Sequence, residues 1–176
     1  RSMRAPEEWA QDPSEAAVGR PRTVSDDAIL EAARAVFLDQ GPAASTTSIA
    51  DRVGLSQAAL FKRFGTKHDL MLAALSPPGV PPFVPLLDSG PAADLAIRGQ
   101  LRDVARVMAR FFRDMVPCLM VLRSSDMDMQ ELFAQFDVPP PVRAQSALAG
   151  WLGRAMDSGS LRRSDPTPLT FSLLGA

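Results

Sequence analysis

The chain has 176 residues, enough for one ordinary domain or two small ones. Hydrophobic residues make up 46% of it, more than a disordered chain carries, and 19 basic against 20 acidic residues leave a net charge of -1. Binding to nucleic acid or anionic lipid would therefore have to come from locally placed charge. One cysteine and one histidine exclude an intrachain disulfide and the paired-histidine motifs of metalloproteases, so we predict no metal site and no cofactor.

The two ends of the sequence differ from its middle. Residues 1–21 combine charge and proline with few large apolar groups, which predicts a flexible arm. The start Arg1-Ser2-Met3 is typical of a cloning remnant, and Ala176 falls within an apolar run, so we expect the native polypeptide to be longer.

No stretch approaches the ~20 apolar residues of a membrane span, which leads us to expect a cytoplasmic protein without a membrane partner.

The first helix is predicted after Ser25, a residue type favoured at helix N-caps. Its apolar residues recur at helical spacing and form one stripe: Ile29, Leu30, Ala33, Val36 and Phe37. Gly41-Pro42 ends this helix, because glycine accepts the left-handed cap and proline cannot continue the hydrogen-bond ladder.

Two short helices follow, joined by a tight turn at residues 53–56. The first begins near Ser45 and ends at Gly54, and the second begins after Ser56 and ends at Gly65. This pair is a helix-turn-helix arrangement, which also occurs in proteins that bind no DNA. Thr66, with an acidic residue three positions later, predicts a capping-box-like start for a fourth helix that runs to residue 75.

Residues 76–91 contain six prolines, and we predict a boundary segment without a regular helix there. The strongest amphipathic pattern of the chain comes next, at Leu101, Val104, Ala105, Met108, Phe111, Phe112 and Met115. Pro117 is expected to kink or end that helix. Shorter helical patterns follow at residues 129–136 and 148–155, and Asp165-Pro166 predicts the start of a last helix. Because no region alternates with a period of two, we predict an all-α fold.

The second helix of the pair carries the features of a DNA-reading helix. At about 100° per residue, Leu60 and Phe64 share its core-facing side, while Ala58 and Lys62 point away from it. Gln57 lies in its first turn, the end that a recognition helix presents to the bases. Residues 42–67 hold four basic residues and one acidic residue, so a near-neutral chain concentrates positive charge on this element.

Residues 20–75 resemble the DNA-binding domain of the TetR family of transcriptional regulators. The matching elements, in chain order, are Arg20-Pro21-Arg22, Ile29-Leu30-Glu31-Ala32-Ala33, Phe37, Gly41, Ser45, Ile49-Ala50, Val53-Gly54-Leu55-Ser56, Leu60-Phe61, Phe64 and Thr66-Lys67 with Leu70. The resemblance implies a helix-turn-helix domain at residues 22–75, a Pro-rich linker at 76–94, and a helical ligand-binding and dimerisation domain at 95–176 that is incomplete at its C-terminus.

The resemblance also assigns DNA-contacting positions. They are Arg22, Thr47, Ser48, Gln57, Ala58, Phe61, Lys62, Arg63 and Lys67. Gln57 is the predicted base-reader, since glutamine can pair bidentately with adenine, and the lysines and Arg63 are predicted to hold phosphates. Phe61 stands where the family usually has tyrosine, so this position keeps the aromatic ring and loses the hydroxyl.

The family's helical body is known for a cavity that binds small molecules, and this implies a second set of site residues. Candidate wall residues are Met108, Phe112, Met115, Met120, Met129, Phe133 and Trp151. Few ionisable groups lie on these faces, so we expect an apolar effector. The function implied is a homodimeric repressor, not an enzyme, that a small apolar molecule releases from a palindromic operator in double-stranded DNA.

Other interpretations stay open at this point. The chain could be a helical small-molecule-binding protein with a vestigial DNA-binding head, or residues 115–136 could form a protein-interaction surface rich in methionine. An enzyme is disfavoured, because the sequence offers neither a catalytic triad nor a glycine-rich phosphate loop. His68 is interpreted as a solvated residue and Cys118 as a small buried hydrophobe.

Overall fold

The computed structural model describes residues 24–174, and throughout these residues the only regular secondary structure is helical. The helices are α1 (Asp26–Gln40), α2 (Thr46–Val53), α3 (Gln57–Phe64), α4 (Lys67–Leu75), α5 (Val84–Asp88), α6 (Ile97–Ser124), α7 (Met129–Ala134), α8 (Pro140–Asp157) and α9 (Pro166–Leu174). The predicted all-α class is confirmed. The arm predicted at residues 1–21 and Arg22 lie outside the described residues.

The first four helices begin at side-chain caps, as the sequence predicts. The Ser25 hydroxyl accepts from the amide of Ala28 at 3.2 Å, and the Ser56 hydroxyl accepts from the amide of Ala59 at 3.1 Å. Gly54 closes α2 in the left-handed conformation, with φ 70° and ψ 31°. Each cap gives a partner to a backbone group that the helix end leaves without one.

The core of the head, by which we mean α1 to α4, is shared with a later helix. Its fully buried side chains come from all four helices: Ile29, Phe37, Ile49, Leu60, Leu70 and Leu75. Met115, Cys118 and Leu122 of α6 belong to the same cluster, and α6 packs against α1 and α4. Burial raises the pKa of the Cys118 thiol, which fits its place inside this apolar cluster.

The proline-rich segment contains a helix, and the prediction that it would not is wrong. Residues 84–88 form α5, in which Pro85 occupies the first turn, where a proline breaks no hydrogen bond of the helix. Phe83 and Leu87 are fully buried, and α5 packs on α8. Nη2 of Arg154 also donates to the carbonyl of Leu87 at 2.6 Å. Packing thus orders a segment whose composition argues against helix.

The long helix α6 runs through Pro117 and ends only at Ser124, so the helix does not end at the proline. Its inner face explains this, because buried Met115 and Leu122 lie on both sides of Pro117. Arg34 of α1 adds a polar contact, with Nη2 donating to the Asp114 carbonyl of α6 at 2.8 Å. Contacts on one face thus compensate for the hydrogen bond that proline removes on the other.

A second apolar cluster forms the body, by which we mean α5 to α9. Trp151, Leu148 and Leu152 of α8 pack there with Phe83 and with residues of α6. At the start of α9 the Asp165 carboxylate accepts from the amide of Thr167 at 2.9 Å, which confirms the predicted start of this helix. Among the described residues, no helix is long and apolar enough to cross a membrane.

Candidate functional sites

The helix-turn-helix places most of its predicted DNA contacts on an open surface. Leu60 of α3 is fully buried against the head, whereas Gln57, Ala58 and Lys62 of the same helix are exposed. Thr47 and Ser48 of α2 are exposed too. Phe61 and Lys67 are half-buried, and Arg22 lies outside the described residues. The sequence-predicted division of α3 into an inner and an outer side is therefore present in the structure.

A hydrogen bond that the sequence did not predict orients Gln57. Its Nε2 donates to Oγ1 of Thr46 at 2.7 Å, which joins the first turn of α3 to the first turn of α2. Thr46 itself is only 7% exposed. Because an amide nitrogen has two N–H groups, Gln57 keeps one N–H and its carbonyl oxygen to offer outward. In the sequence, the sign of this hydrogen bond was a threonine at the first position of α2. Its partner, Gln57, becomes apparent only once α2 packs on α3.

Arg63 has partners within the protein. Its Nη1 donates to the carbonyl of Val24 at 2.5 Å and lies 3.3 Å from Oδ1 of Asp26. The side chain is 30% exposed. These contacts tie the end of α3 to the start of α1, where the chain enters from the predicted arm. The role of Arg63 as a phosphate contact stays a prediction. In the structure its side chain also joins the end of α3 to the start of α1.

The remaining cations of α3 and α4 face a different environment. Within the described part of the chain, Lys62 and Lys67 form no ion pair. Next to Lys67, the Asp69 carboxylate accepts from the Thr66 amide at 2.9 Å and from the Thr66 hydroxyl at 2.7 Å. These hydrogen bonds lower the pKa of Asp69, because they stabilise its negatively charged carboxylate at the cap of α4.

The body contains an apolar cavity beside the point where the chain leaves α4. Its volume is about 240 Å³. Its walls come from the segment between α4 and α5 and from the four helices α6, α7, α8 and α9. They are Pro77, Pro81, Phe83, Phe111, Phe112, Met115, Leu119, Phe133, Pro140, Pro141, Val142, Ala144, Gln145 and Leu174. Phe111 packs edge-on against Phe83 with ring centroids 5.5 Å apart. We call this the proximal cavity.

A second cavity lies farther along the same helix, and we call it the distal cavity. It measures about 490 Å³ and is enclosed by α6, α8, the segment after α8 and α9. Its walls are Leu101, Val104, Ala105, Met108, Ala109, Phe112, Leu148, Leu152, Leu161, Leu169, Ser172 and Leu173. The Ser172 hydroxyl already donates to the Pro168 carbonyl at 2.9 Å. Neither cavity has an ionisable residue in its wall.

Four of the predicted effector contacts line a cavity. Phe112, Met115 and Phe133 line the proximal one, and Met108 and Phe112 line the distal one. The other three line neither cavity, and their role stays a prediction: Met120 is 54% exposed, Met129 packs beside the head cluster, and Trp151 is 1% exposed within the body core. Helical spacing places a residue on a face of its helix, and it does not separate packed positions from open ones on that face.

The sequence prediction missed several wall residues of the proximal cavity, notably Pro77, Pro81 and Phe83. They belong to the segment interpreted as a linker, whose proline-rich composition gave no indication that these residues are buried. Phe111, next to the predicted Phe112, could have been included from its apolar neighbourhood alone. Across the described residues, no group of three or more His, Cys, Asp or Glu side chains could hold a metal ion.

Comparisons with known proteins agree with this geometry. Residues 29–74 match the family model described as bacterial regulatory proteins, tetR family. The chain is similar to the TetR family transcriptional regulator PfmR from Thermus thermophilus, with 23% identity, a TM-score of 0.56, and coverage of 84% of this chain and 80% of that one. The TetR transcriptional regulator SCO0520 from Streptomyces coelicolor has 27% identity, a TM-score of 0.48, and coverage of 85% and 82%. Among curated proteins none matches.

Proposed function

We propose that the chain, whose residues 29–74 match the family model of bacterial regulatory proteins of the tetR family, is a homodimeric TetR-type repressor that an apolar effector releases from a palindromic DNA operator. The observation that carries the proposal is the two-sided α3. Leu60 is fully buried on one side, while Gln57, Ala58 and Lys62 are exposed on the other, with positive charge in the last turn. A short helix that is anchored inside and polar outside can enter a major groove.

We assign different roles to the residues of this surface. Gln57, held by Thr46, reads a base edge, whereas Lys62 and Lys67 hold phosphates and contribute affinity without sequence preference. Arg63 braces the start of α1 and contacts a phosphate from the same position. Thr47, Ser48, Ala58 and Phe61 fill the groove around Gln57, and Arg22 of the arm follows the neighbouring backbone.

The dimer follows from the size of one head. A single α3 covers one half-site, so two heads related by a two-fold axis read a palindrome whose half-sites lie about 34 Å apart, or a multiple of this. The proposed domains are the head at residues 22–75, the segment at 76–94 and the body at 95–176. The body would hold both the effector and the dimer contact.

Release by an effector requires that the cavity communicate with the head. Pro77 and Pro81 line the proximal cavity, and Pro77 follows the last residue of α4 by two positions. A molecule in this cavity therefore touches the segment that α4 leads into. If that molecule prefers an arrangement with a different position of α4, it shifts the population away from the separation of heads that fits DNA.

The experiment is selection of binding sequences from a random DNA pool, followed by salt titration of the best sequence. Lys62→Ala and Lys67→Ala should each weaken binding to all sequences and lower the salt slope by about one unit. Gln57→Ala should instead relax the preference at one base pair. Arg106→Ala is the matched control, since Arg106 is an exposed cation of α6 that pairs with Asp103.

Two outcomes would contradict the proposal. Unchanged affinity and salt slope in both lysine variants would show that α3 does not face DNA. Failure to enrich any sequence, together with retained binding of small molecules by the body, would favour the alternative of a binding protein with a vestigial head.

A further inference from the structure

The two cavities of the body share one wall residue, Phe112. Met108 and Leu101 line the distal cavity on one side of it, and Met115 and Leu119 line the proximal cavity on the other. These residues follow one face of α6. From residue 101 to residue 119 the helix rises about 27 Å, at about 1.5 Å per residue. An apolar trough of that length therefore follows α6, and the ring of Phe112 interrupts it.

The ring of Phe112 is held on one side and open on the other. It packs edge-on against Phe111 with centroids 5.4 Å apart, and it lies tilted against Phe83 at 6.0 Å. Phe112 is nevertheless only half-buried, because both cavities open beside it. A change of side-chain rotamer at this one residue would join the two spaces, which measure about 240 and 490 Å³.

The wall chemistry restricts what can occupy the trough. No Lys, Arg, His, Asp or Glu lines either cavity, so an ionised group inside would be desolvated without a partner. Gln145 is the one polar side chain of the proximal wall. The occupant that fits is an uncharged hydrocarbon chain with a single small polar group near Gln145.

We propose that the two cavities are lobes of one site for a single unbranched, uncharged alkyl molecule, and that Phe112 determines how long a chain the site accepts. This inference rests on the proposed effector site and names the chemical class of its ligand. The polar end lies at Gln145 in the proximal lobe, beside Pro77 and Pro81, and the chain extends past Phe112 into the distal lobe.

The test is calorimetric titration of the full chain with 1-alkanols from hexanol to dodecanol, first without DNA and then in the presence of the DNA sequence selected from the random pool. Each methylene that enters apolar surroundings should raise the affinity about fourfold. We expect one molecule per chain and a rise that ends at a limiting chain length. Octanoate should bind at least tenfold more weakly than 1-octanol, because its charge has no partner in the walls.

Variants of Phe112 test its role. Phe112→Trp should stop the rise at a shorter alkanol, because the larger ring fills the passage, and Phe112→Ala should favour the longest alkanols over hexanol more than the natural residue does. Phe112→Leu keeps a large apolar side chain, should shift the preference in the direction of Phe112→Ala, and serves if alanine prevents folding. Met120→Ala, at an exposed position of α6 outside both cavities, should change nothing.

Three results would overturn the inference. They are two molecules bound per chain, a plateau at the same chain length in the natural protein and in both Phe112→Ala and Phe112→Leu, and octanoate binding as tight as that of 1-octanol. A rise with chain length that leaves DNA binding untouched would support the two-lobed site and contradict release by an effector. Release of DNA by a compact molecule, with no rise in affinity along the alkanol series, would support release by an effector and contradict the two-lobed site.

Discussion

The head and the body reach their helices in different ways. In the head, α1 to α4 each begin at a serine or threonine whose side chain accepts a backbone amide, and α1 to α3 each end at a glycine. In the body, α5, α6 and α8 begin without a side-chain cap. Packing therefore sets the bounds of these three helices, whereas local hydrogen bonds set the bounds of the head helices.

The two regions nevertheless share one core. Met115, Cys118 and Leu122 of α6 are buried in the cluster formed by the head. Arg34 of α1 reaches the Asp114 carbonyl on the same stretch of α6. Local signals thus define the helices of the head, while its stability depends on a helix that begins more than twenty residues after α4 ends. The predictions below test this combination.

The largest effect is expected at Leu122, which is fully buried in the head cluster although it belongs to α6. Leu122→Ala removes buried methyl groups and leaves a cavity, at a cost of about 2–5 kcal/mol in the free energy of unfolding. Urea denaturation followed by circular dichroism measures this cost. We expect head and body to unfold in one transition, because the cluster includes both.

Met120→Ala is the matched control for this change, since Met120 lies two positions away on α6 and is 54% exposed. Its effect should stay within about 0.5 kcal/mol. Two separate transitions, with Leu122→Ala lowering only the one assigned to the body, would show that the head does not depend on α6.

This contrast explains what the sequence could predict. The caps at Ser25, Ser56 and Thr66 depend on neighbours within four residues, so short-range patterns were enough to place the head helices. The contact between Gln57 and Thr46 joins two helices, and no spacing rule indicates it. For the body, Pro117 and the prolines before α5 predicted breaks that packing overrides, and the cavity walls depend on contacts between helices that are distant in sequence.

Gly54 gives the next largest effect and tests the local side of the comparison. At φ 70° and ψ 31° it occupies the left-handed region, which costs a residue with a Cβ about 1–2 kcal/mol. An added Cβ would meet nothing within 4 Å, so Gly54→Ala isolates this backbone cost. Thermal unfolding should show the loss.

Gly153 provides the matched glycine of the body. It lies within α8, and a Cβ there also meets nothing within 4 Å. Because alanine favours a helix interior, Gly153→Ala should stabilise the protein by about 0.5–1 kcal/mol. Changes of the same sign in the two variants would show that the turn at Gly54 does not require glycine.

Arg154 tests the packing side of the comparison. Its hydrogen bond to the Leu87 carbonyl holds α5 on α8. Arg154→Met keeps the apolar stem and removes the bond, which should cost about 1 kcal/mol and speed hydrogen exchange in residues 84–90. Arg163→Met is the control, because its pair with Asp157 is 80% and 77% exposed and is worth little. Equal exchange rates in both variants would mean that apolar packing alone holds α5.

The smallest effect belongs to the cap of α4 and depends on pH. Thr66→Ala removes a cap hydrogen bond worth about 0.5–1 kcal/mol at pH 7. It also removes the hydroxyl that donates to Asp69, the larger of the two hydrogen bonds that lower the pKa of Asp69, while the backbone amide of residue 66 still donates. A carboxylate with a lowered folded-state pKa stabilises the fold above its unfolded-state pKa, and this contribution disappears as the pH falls through the folded value. The difference between the natural protein and Thr66→Ala should therefore shrink below about pH 4.

The body contains a comparable cap, so the same titration compares the two regions. The pKa of Asp165 is lowered by its hydrogen bonds with Thr167 at the start of α9. Asp165→Asn removes that charge, should make stability less dependent on pH below about 4, and should leave the titration of Asp69 in NMR spectra unchanged. Thr66→Ser keeps a hydroxyl at the cap and should restore the lowered pKa of Asp69. If Thr66→Ala leaves that pKa where it was, the charge of the carboxylate is stabilised by the backbone amide of residue 66 and the helix dipole, and not by the hydroxyl.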